Sequence, residues 1–181
     1  MGVDKGLLKL HSITWAQTAL EKMAKKLQLP AVLSVNSNQY NYYSLIFTPD
    51  QLIKDIEGLP IGGPLCGVLS VHFQYPEEDL MALACDMPLM DPTILTQLLT
   101  VYSQRSAHAF VFTNEGNPEP LCAIYTAKGL SIITSLLHAN QLTKYSMKYA
   151  LEHINTFLIP LTEDQKKYFL NFNTPAELNG M

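Results

Sequence analysis

The sequence has little charge and no long apolar run. Charged residues make up 15% of its 181 residues, and the formal net charge is -4. A negatively charged chain is repelled by nucleic acid and by anionic membrane surfaces, which argues against a general binder of either. No apolar run approaches the roughly 18 residues of a membrane span, and no signal peptide follows Met1. We therefore expect a soluble protein with no nucleic-acid or membrane partner.

Cysteine is also scarce, and several catalytic signatures are missing. The three cysteines, Cys66, Cys85 and Cys122, are widely spaced in apolar surroundings and form no C-x-x-C pair. Free buried thiols are typical of a reducing compartment, so we predict a cytoplasmic protein. The sequence has no G-x-G-x-x-G, no Walker loop and no histidines at metal-ligand spacing. Hydrolase and dehydrogenase functions therefore find little support.

Apolar residues are abundant, at 48% of the chain, and their spacing predicts alternating strands and helices. The predicted strands are 31–35, a short one near 53, 79–85, 107–112, 120–125, a short one near 157, and 169–172. The predicted helices are 13–27, 65–73, 92–103, 128–140, 145–153 and a last one from Pro175. This alternation predicts one α/β domain over residues 1–181, with a mostly parallel sheet and helices on both faces. The run 79–85 is bounded by charge and predicts a parallel strand covered on both faces.

Polar residues that directly follow strands are candidate ligand contacts, because ligands bind beyond the carboxyl ends of strands in such sheets. Asp86 follows the apolar run 79–85. A carboxylate there can hold Mg²⁺, although a turn or helix-capping aspartate fits the pattern as well. Asn36 and Asn38 follow an earlier strand. From there they could hydrogen-bond a ribose or base, or they could simply form an Asx-turn.

Two further segments are candidates. The run from Gly62 to Gly67 lets the backbone approach a ligand at a helix start, or forms an ordinary loop-to-helix junction. Asn171 and Asn173 flank Phe172, so both project to one side of a predicted strand, where an asparagine can complete a metal or phosphate site. Thr174 and Glu177 have the spacing of a capping box, which is a structural feature.

Four stretches in this order carry a family resemblance: MGVDKGLL at 1–8, GPLCGVLS at 63–70, ACDMPLMDP at 84–92 and NFNTPAEL at 171–178. Over nearly its whole length the chain resembles the molybdenum cofactor guanylyltransferases, the molybdopterin-guanine dinucleotide biosynthesis protein A family. The resemblance implies a three-layer Rossmann-like nucleotidyltransferase fold. It also implies transfer of GMP from Mg-GTP to molybdopterin, with release of pyrophosphate.

The resemblance implies a role for each matching residue. Lys5 would contact the GTP phosphates with Gly2 of the same loop, and would stabilise charge on the leaving pyrophosphate. Asp86 would bind Mg²⁺, with Asn173 and Asn171 on the far side of the site. The remaining nucleotide contacts would be Asn36, Asp55, and the guanine-binding segment Gly63, Pro64, Leu65 and Gly67. The implied partners are GTP, molybdopterin, and molybdenum cofactor delivery proteins or molybdoenzyme chaperones.

Two departures from the family pattern shape the expectations. Family members begin with a strand and a loop of the form L-A-G-G-x-S-x-R-M-G, whereas this sequence starts at the Met-Gly of that loop. We expect an N-terminally incomplete domain that lacks roughly 20 residues, one strand and its loop, from the middle of its sheet. Thr14-Trp15 also stands where the family usually has Pro-Leu. The alternatives are a molybdopterin cytidylyltransferase and a non-catalytic relic that acts only through protein contacts.

Overall fold

The computed structural model describes residues 4–10 and 12–178. The strands are β1 (Lys9–Leu10), β2 (Ile13–Thr14), β3 (Leu33–Val35), β4 (Leu52–Lys54), β5 (Leu80–Leu83), β6 (Ala109–Asn114), β7 (Asn117–Tyr125) and β8 (Thr156–Pro160). The helices are α1 (Trp15–Glu21), α2 (Ser37–Tyr43), α3 (Gly63–Gln74), α4 (Pro92–Gln104), α5 (Ala127–His138), α6 (Met147–Leu151), α7 (Glu163–Lys166) and α8 (Pro175–Leu178). None of these described helices is long and apolar enough to cross a membrane.

Side-chain caps set where the helices begin. Thr14 caps α1 and exchanges hydrogen bonds with Gln17 in a capping box, while the adjacent Trp15 is buried in the core. A π-helical turn, Lys22–Lys26, then extends α1 to the end of the predicted helix. Asp91 caps α4, whose first residue, Pro92, has no backbone N–H to leave unpaired.

The four-stranded sheet is mixed: β5, β6 and β8 run in one direction, as expected of a mostly parallel sheet, and β7 runs in the opposite direction. Its order is β5-β7-β6-β8, with β6 and β8 parallel but β7 antiparallel to both β5 and β6. The cause is the tight turn at Glu115-Gly116, where both residues have positive φ and reverse the chain between β6 and β7. The strands β3 and β4 form a separate parallel pair, and β1 and β2 a short hairpin.

Two apolar cores lie on opposite faces of the four-stranded sheet, so helices cover both faces as predicted. Alternate residues of β6 divide between them: Ala109 and Val111 pack with α3, α5 and α6, whereas Phe110 and Phe112 pack with α4. This arrangement confirms the α/β fold class and its layers.

Two strand predictions differ from the structure. All four residues of β5 are half-buried, and β5 pairs antiparallel with β7, so it is not a parallel strand covered on both faces. The segment 169–172 is no strand, because a 3-10 turn, Lys167–Phe169, leads into an irregular stretch. Phe169 and Phe172 are both buried, and their three-residue spacing fits a helical turn, whereas strand residues on one face are two apart.

Candidate active site

A cavity of about 1470 Å³, which we call the central cavity, separates β3 from β5. Six residues implied to bind nucleotide or phosphate line it: Lys5, Asn36, Asp55, Gly63, Pro64 and Gly67. Asp86 lies beside it through its contact with Lys5. Gly2, the remaining phosphate-loop residue, lies outside the described residues. The structure therefore gathers residues that are far apart in sequence around a single opening.

Lys5 and Asp86 form an ion pair beside the central cavity. The Nζ of Lys5 donates to Oδ2 of Asp86 at 2.9 Å, although 81 positions separate the two residues. The side chains are 39% and 21% exposed, so the pair is partly shielded from solvent and partly accessible. In such a pair the lysine can contact a bound phosphate, and the carboxylate can bind the metal ion that accompanies the phosphate.

The C-terminal segment lies against Asp86 by a backbone contact. The N–H of Phe172 donates to the carbonyl oxygen of Asp86 at 3.0 Å, and the buried Phe172 ring anchors this segment. Its neighbours Asn171 and Asn173 are exposed, and the N–H of Asn173 donates to Glu177 at 3.0 Å. Asn171 and Asn173 therefore come near Asp86 on an irregular segment instead of the predicted strand.

Asp4 caps the 3-10 turn that contains Lys5, a role that the sequence reading did not predict. Its Oδ1 accepts from the N–H of Gly6 at 2.9 Å and from the hydroxyl of Tyr43 at 3.0 Å, while its Oδ2 accepts from Gln39 at 2.8 Å. Burial, reinforced by the charge of Asp4, raises the pKa of Tyr43 well above its usual range, so the phenol remains a donor. The pattern Asp-x-Gly, with an acid that can cap a turn, was the available sequence feature.

Glycine at position 67 allows close packing at the start of α3. The Ser34 hydroxyl donates to Oδ1 of Asp55 at 2.7 Å. A Cβ at Gly67 would lie 2.7 Å from that Ser34 oxygen, so only glycine leaves this hydrogen bond undisturbed. Gly63 has a φ of +64°, in the left-handed region, and begins the helix that Pro64 continues. Leu65 points into the core, so only its backbone can contact a ligand.

Asn36 has a structural role that the sequence left open. Its side chain accepts from the N–H of Gln39 at 2.9 Å, and its own N–H donates to Oε1 of Gln39 at 3.0 Å. These reciprocal bonds cap α2. The residue is exposed at the border of the central cavity, so the cap also holds its position there.

The donor set around Asp86 fits a cation shared with a phosphate ligand. No group of three or more His, Cys, Asp or Glu that could hold a metal occurs in residues 4–10 and 12–178. Mg²⁺ usually takes one or two carboxylates and completes its octahedron with water and substrate phosphates. Asp86 uses Oδ2 for Lys5, and its partly exposed carboxylate leaves Oδ1 for such an ion.

Two further ionisable groups flank Asp86. Burial, with the charges of Asp86 and Asp4, raises the pKa of Cys85 to about 11, which favours the protonated thiol at neutral pH. The Nζ of Lys22 donates to the carbonyl oxygen of Pro88 at 2.7 Å, and burial lowers the pKa of Lys22 to about 8. Lys22 thereby ties the end of α1 to the loop that follows Asp86.

Comparisons with known proteins relate the chain to molybdenum cofactor guanylyltransferases. A probable molybdenum cofactor guanylyltransferase from Flavobacterium johnsoniae is 27% identical over 145 residues, which cover 80% of this chain and 70% of the relative. Another, from Methanothermobacter thermautotrophicus, is 27% identical over 182 residues, covering 98% and 90%. The solved structure of molybdopterin-guanine dinucleotide biosynthesis protein A from Archaeoglobus fulgidus has a TM-score of 0.77 at 20% identity, covering 99% of this chain and 89% of that one.

The structural likeness confirms the predicted nucleotidyltransferase fold. Residues 1–153 also match the profile of the MobA-like NTP transferase domain. This match includes the segments that carry Lys5, the start of α3 and Asp86. The chain belongs to the MobA-like NTP transferase family.

Proposed function

We propose that this protein transfers GMP from GTP to molybdopterin and releases pyrophosphate. The observation that carries the proposal is the Lys5–Asp86 pair, which stands beside the central cavity near the start of α3. The relatives named as molybdenum cofactor guanylyltransferases support the choice of reaction. Because these relatives are named as guanylyltransferases, we favour GTP over CTP.

The reaction is a displacement at the α-phosphorus of GTP. An oxygen of the terminal phosphate of molybdopterin forms a bond to this phosphorus, and the bond from the phosphorus to the β-bridging oxygen breaks. Pyrophosphate departs with that oxygen and its electron pair. The attacking oxygen already carries negative charge, so no general base is needed. The work left to the protein is positioning and charge neutralisation.

Lys5 and Asp86 divide this work. Lys5, 39% exposed, places a positive charge where it can contact the nucleotide phosphates and offset the charge that develops on pyrophosphate. Asp86 would hold Mg²⁺ together with the phosphates, and when bound this ion supplies neutralisation of phosphate charge. Asp86 also orients the Lys5 ammonium through their 2.9 Å contact. We assign Asn173 to the same site because its neighbour Phe172 bonds the backbone of Asp86.

The start of α3 is proposed to contact the guanine. Its glycines let the backbone come close to a planar base, and its first N–H groups have no partner within the helix. Guanine and cytosine present opposite donor and acceptor patterns at their pairing edges, so a fixed backbone can distinguish them. Asp55, held by Ser34, and the cap residue Asn36 complete this wall of the cavity.

We also propose that the protein acts in the cytoplasm and receives molybdopterin from a delivery protein. Cys66 and Cys122 are buried free thiols and Cys85 is a half-buried one, as expected in a reducing compartment. We propose a delivery protein because molybdopterin is prone to oxidation and is therefore poorly suited to free diffusion.

The test is a product analysis with molybdopterin, Mg²⁺ and either GTP or CTP. We expect the guanine dinucleotide and pyrophosphate from GTP, and much less product from CTP. The variant Lys5→Met should lose this activity, whereas Lys26→Met, which removes an exposed lysine after α1, should keep it. Preference for CTP would indicate a cytidylyltransferase. No product from either nucleotide would contradict the proposal and support a non-catalytic relic.

A further inference from the structure

Gln39 joins two segments that line the central cavity through its side-chain amide. Its Oε1 accepts from the backbone N–H of Asn36 at 3.0 Å, within the cap of α2. Its Nε2 donates to Oδ2 of Asp4 at 2.8 Å, although 35 positions separate the two residues. All three residues line the cavity. One amide group therefore connects Asn36, a proposed nucleotide contact, with the residue directly before Lys5.

Capping of α2 does not account for a glutamine at position 39. The cap uses the backbone N–H and the Oε1 of Gln39, which bond the side chain and the backbone N–H of Asn36. A glutamate caps a helix equally well from this position, because it offers the same acceptor. The amide Nε2 is what distinguishes glutamine from glutamate, and this nitrogen is bonded to Asp4. The contact with Asp4 is therefore the one for which the amide is needed.

Asp4 transmits this contact to the 3-10 turn that contains Lys5. A carboxylate accepts hydrogen bonds but donates none, so each of its partners must be a donor. Its Oδ2 accepts from Gln39, while its Oδ1 accepts from the N–H of Gly6 at 2.9 Å and from the hydroxyl of the buried Tyr43 at 3.0 Å. A Cβ added at Gly6 would collide with this hydroxyl, so the turn packs closely against α2. Two residues of α2 thus hold the turn through the two oxygens of Asp4.

The position of this turn determines where the Lys5 ammonium lies. The Nζ of Lys5 contacts Oδ2 of Asp86 at 2.9 Å, at the proposed phosphate site. The same hydrogen-bonded series begins at Asn36, beside the proposed nucleotide pocket. A displacement of about 1 Å in a group that positions charge can cost about a hundredfold in rate. Loss of the bond from Gln39 to Asp4 should therefore slow transfer even while the cap at Asn36 remains.

We propose that Gln39 is a positioning residue for GMP transfer, and that its Nε2 holds Asp4 and thereby places the Lys5 ammonium beside the nucleotide phosphates. This role rests on the proposed function. Gln39 makes no contact with the reacting atoms in this role, so its effect passes through Lys5. Because Oε1 holds Asn36 independently of Nε2, loss of the Asp4 contact should change kcat more than the KM for GTP.

The experiment replaces Gln39 by Glu, which keeps the shape and the cap but turns the donor to Asp4 into an acceptor. Two carboxylates at hydrogen-bond distance repel each other unless they share one proton. We expect the ratio of variant to wild-type kcat to be at most about one tenth near pH 8, and to recover as the pH falls toward about 5. Gln51→Glu is the matched control, because Gln51 also accepts from the N–H of a capping residue, Thr48, at the start of β4. It should keep the wild-type kcat and KM at every pH.

Other ionisable groups beside Asp4 do not explain such a pH dependence. Burial raises the pKa of Tyr43 well above its usual range and that of Cys85 to about 11, so neither ionises between about pH 5 and pH 8. Lys5 and Asp86 are the same in every variant, so their contributions cancel in the ratio to the wild type. The change in the ratio therefore reports the proton between residues 4 and 39.

Reversal of the hydrogen bond separates positioning from charge. In the double variant Asp4→Asn with Gln39→Glu, the new Nδ2 can donate to the glutamate, while Oδ1 still accepts from Gly6 and Tyr43. This variant has the wild-type charge, so it should recover most of kcat and lose the added pH dependence. Asp4→Asn alone sets two amide NH₂ groups against each other, and it should lower kcat although it removes negative charge from the phosphate site.

Midpoints of thermal unfolding verify that each variant is folded at the assay temperature. Equal kcat in Gln39→Glu and the wild type across the pH range would overturn the positioning role. An undiminished kcat in Asp4→Asn would also overturn it, and this variant adds no charge, so it decides the question independently of how Gln39→Glu folds. A double variant no more active than Gln39→Glu would contradict the role as well. Absence of GMP transfer by the wild type would instead overturn the proposed function, and the role of Gln39 with it.

Discussion

Replacement of Asp86 by Asn separates a catalytic role for this residue from a structural one. Asparagine has nearly the same shape, and its oxygen can still accept from Lys5, which now contacts Oδ2 of Asp86 at 2.9 Å. The backbone contact from Phe172 to the carbonyl oxygen of residue 86 is also retained. The substitution therefore removes one negative charge and little else.

The expected loss of stability is small because the ion pair is partly exposed. With Lys5 39% and Asp86 21% exposed, solvent screens their attraction, and such pairs contribute about 0–1 kcal/mol. For a domain of this size that is a fall in Tm of less than about 4 °C. The expected loss of turnover is much larger. Removal of one electrostatic contact to a transition state typically costs about 2.7–4 kcal/mol, which is a hundredfold or more in kcat.

The assay measures Tm and steady-state kcat and KM for Asp86→Asn, with Asp50→Asn as the control. Asp50 is an exposed aspartate in a 3-10 turn, so its replacement should change neither quantity. We expect Asp86→Asn to retain its fold and lose kcat, with a weaker response to added Mg²⁺. A large fall in Tm, or an unchanged kcat, would refute the assignment of Asp86 to the reaction.

Three further predictions concern packing and ionisation. Gly67→Ala should raise the Kd for GTP, because the added Cβ would lie 2.7 Å from the Ser34 oxygen. Adding Ser34→Ala to this variant should relieve the clash and recover part of the lost affinity. The reasoning would be contradicted if the double variant lost as much affinity as the two single variants together. Gly129→Ala should lower the free energy of unfolding by about 1–3 kcal/mol in urea titrations, since its Cβ would collide with the backbone oxygen of His108. Burial lowers the pKa of Lys22 to about 8, so between pH 8 and about 10.5 the unfolded chain binds more protons than the folded one. The free energy of unfolding of the protein, minus that of Lys22→Met, should therefore rise with pH across that window. A decrease in this difference with rising pH would contradict the prediction.

Much of the fold was predictable because its strands and helices have clear apolar spacing. The helix over α4 follows from Pro92 and its apolar repeat, and β6 follows from a short apolar run. The direction of β7 was not predictable from such patterns. It depends on positive φ at Glu115 and Gly116, and a glutamate rarely indicates such a turn. The antiparallel pairing of β5 is a consequence of that turn.

Some residues of the candidate site were likewise predictable from the sequence, and others were not. Asp86 was found because it directly follows an apolar run, and the glycines before α3 because glycine permits unusual backbone geometry. Asp4 was missed because its partners, Gln39 and Tyr43, are more than thirty positions away. The irregular path of 169–172 was missed because single aromatic residues fit a strand and a helical turn equally well.

The most direct test of the central claim, a guanine nucleotide site at Lys5 and Asp86, is a thermal-shift titration. The chain is titrated with GTP, CTP, ATP and UTP, each with and without Mg²⁺. A ligand at a hundred times its Kd should stabilise the native state by about 2.7 kcal/mol, which is readily seen as a higher Tm. We predict a Mg²⁺-dependent rise with GTP alone, and its loss in Lys5→Met. An equal rise with all four nucleotides, or a GTP response that Lys5→Met leaves intact, would contradict the account.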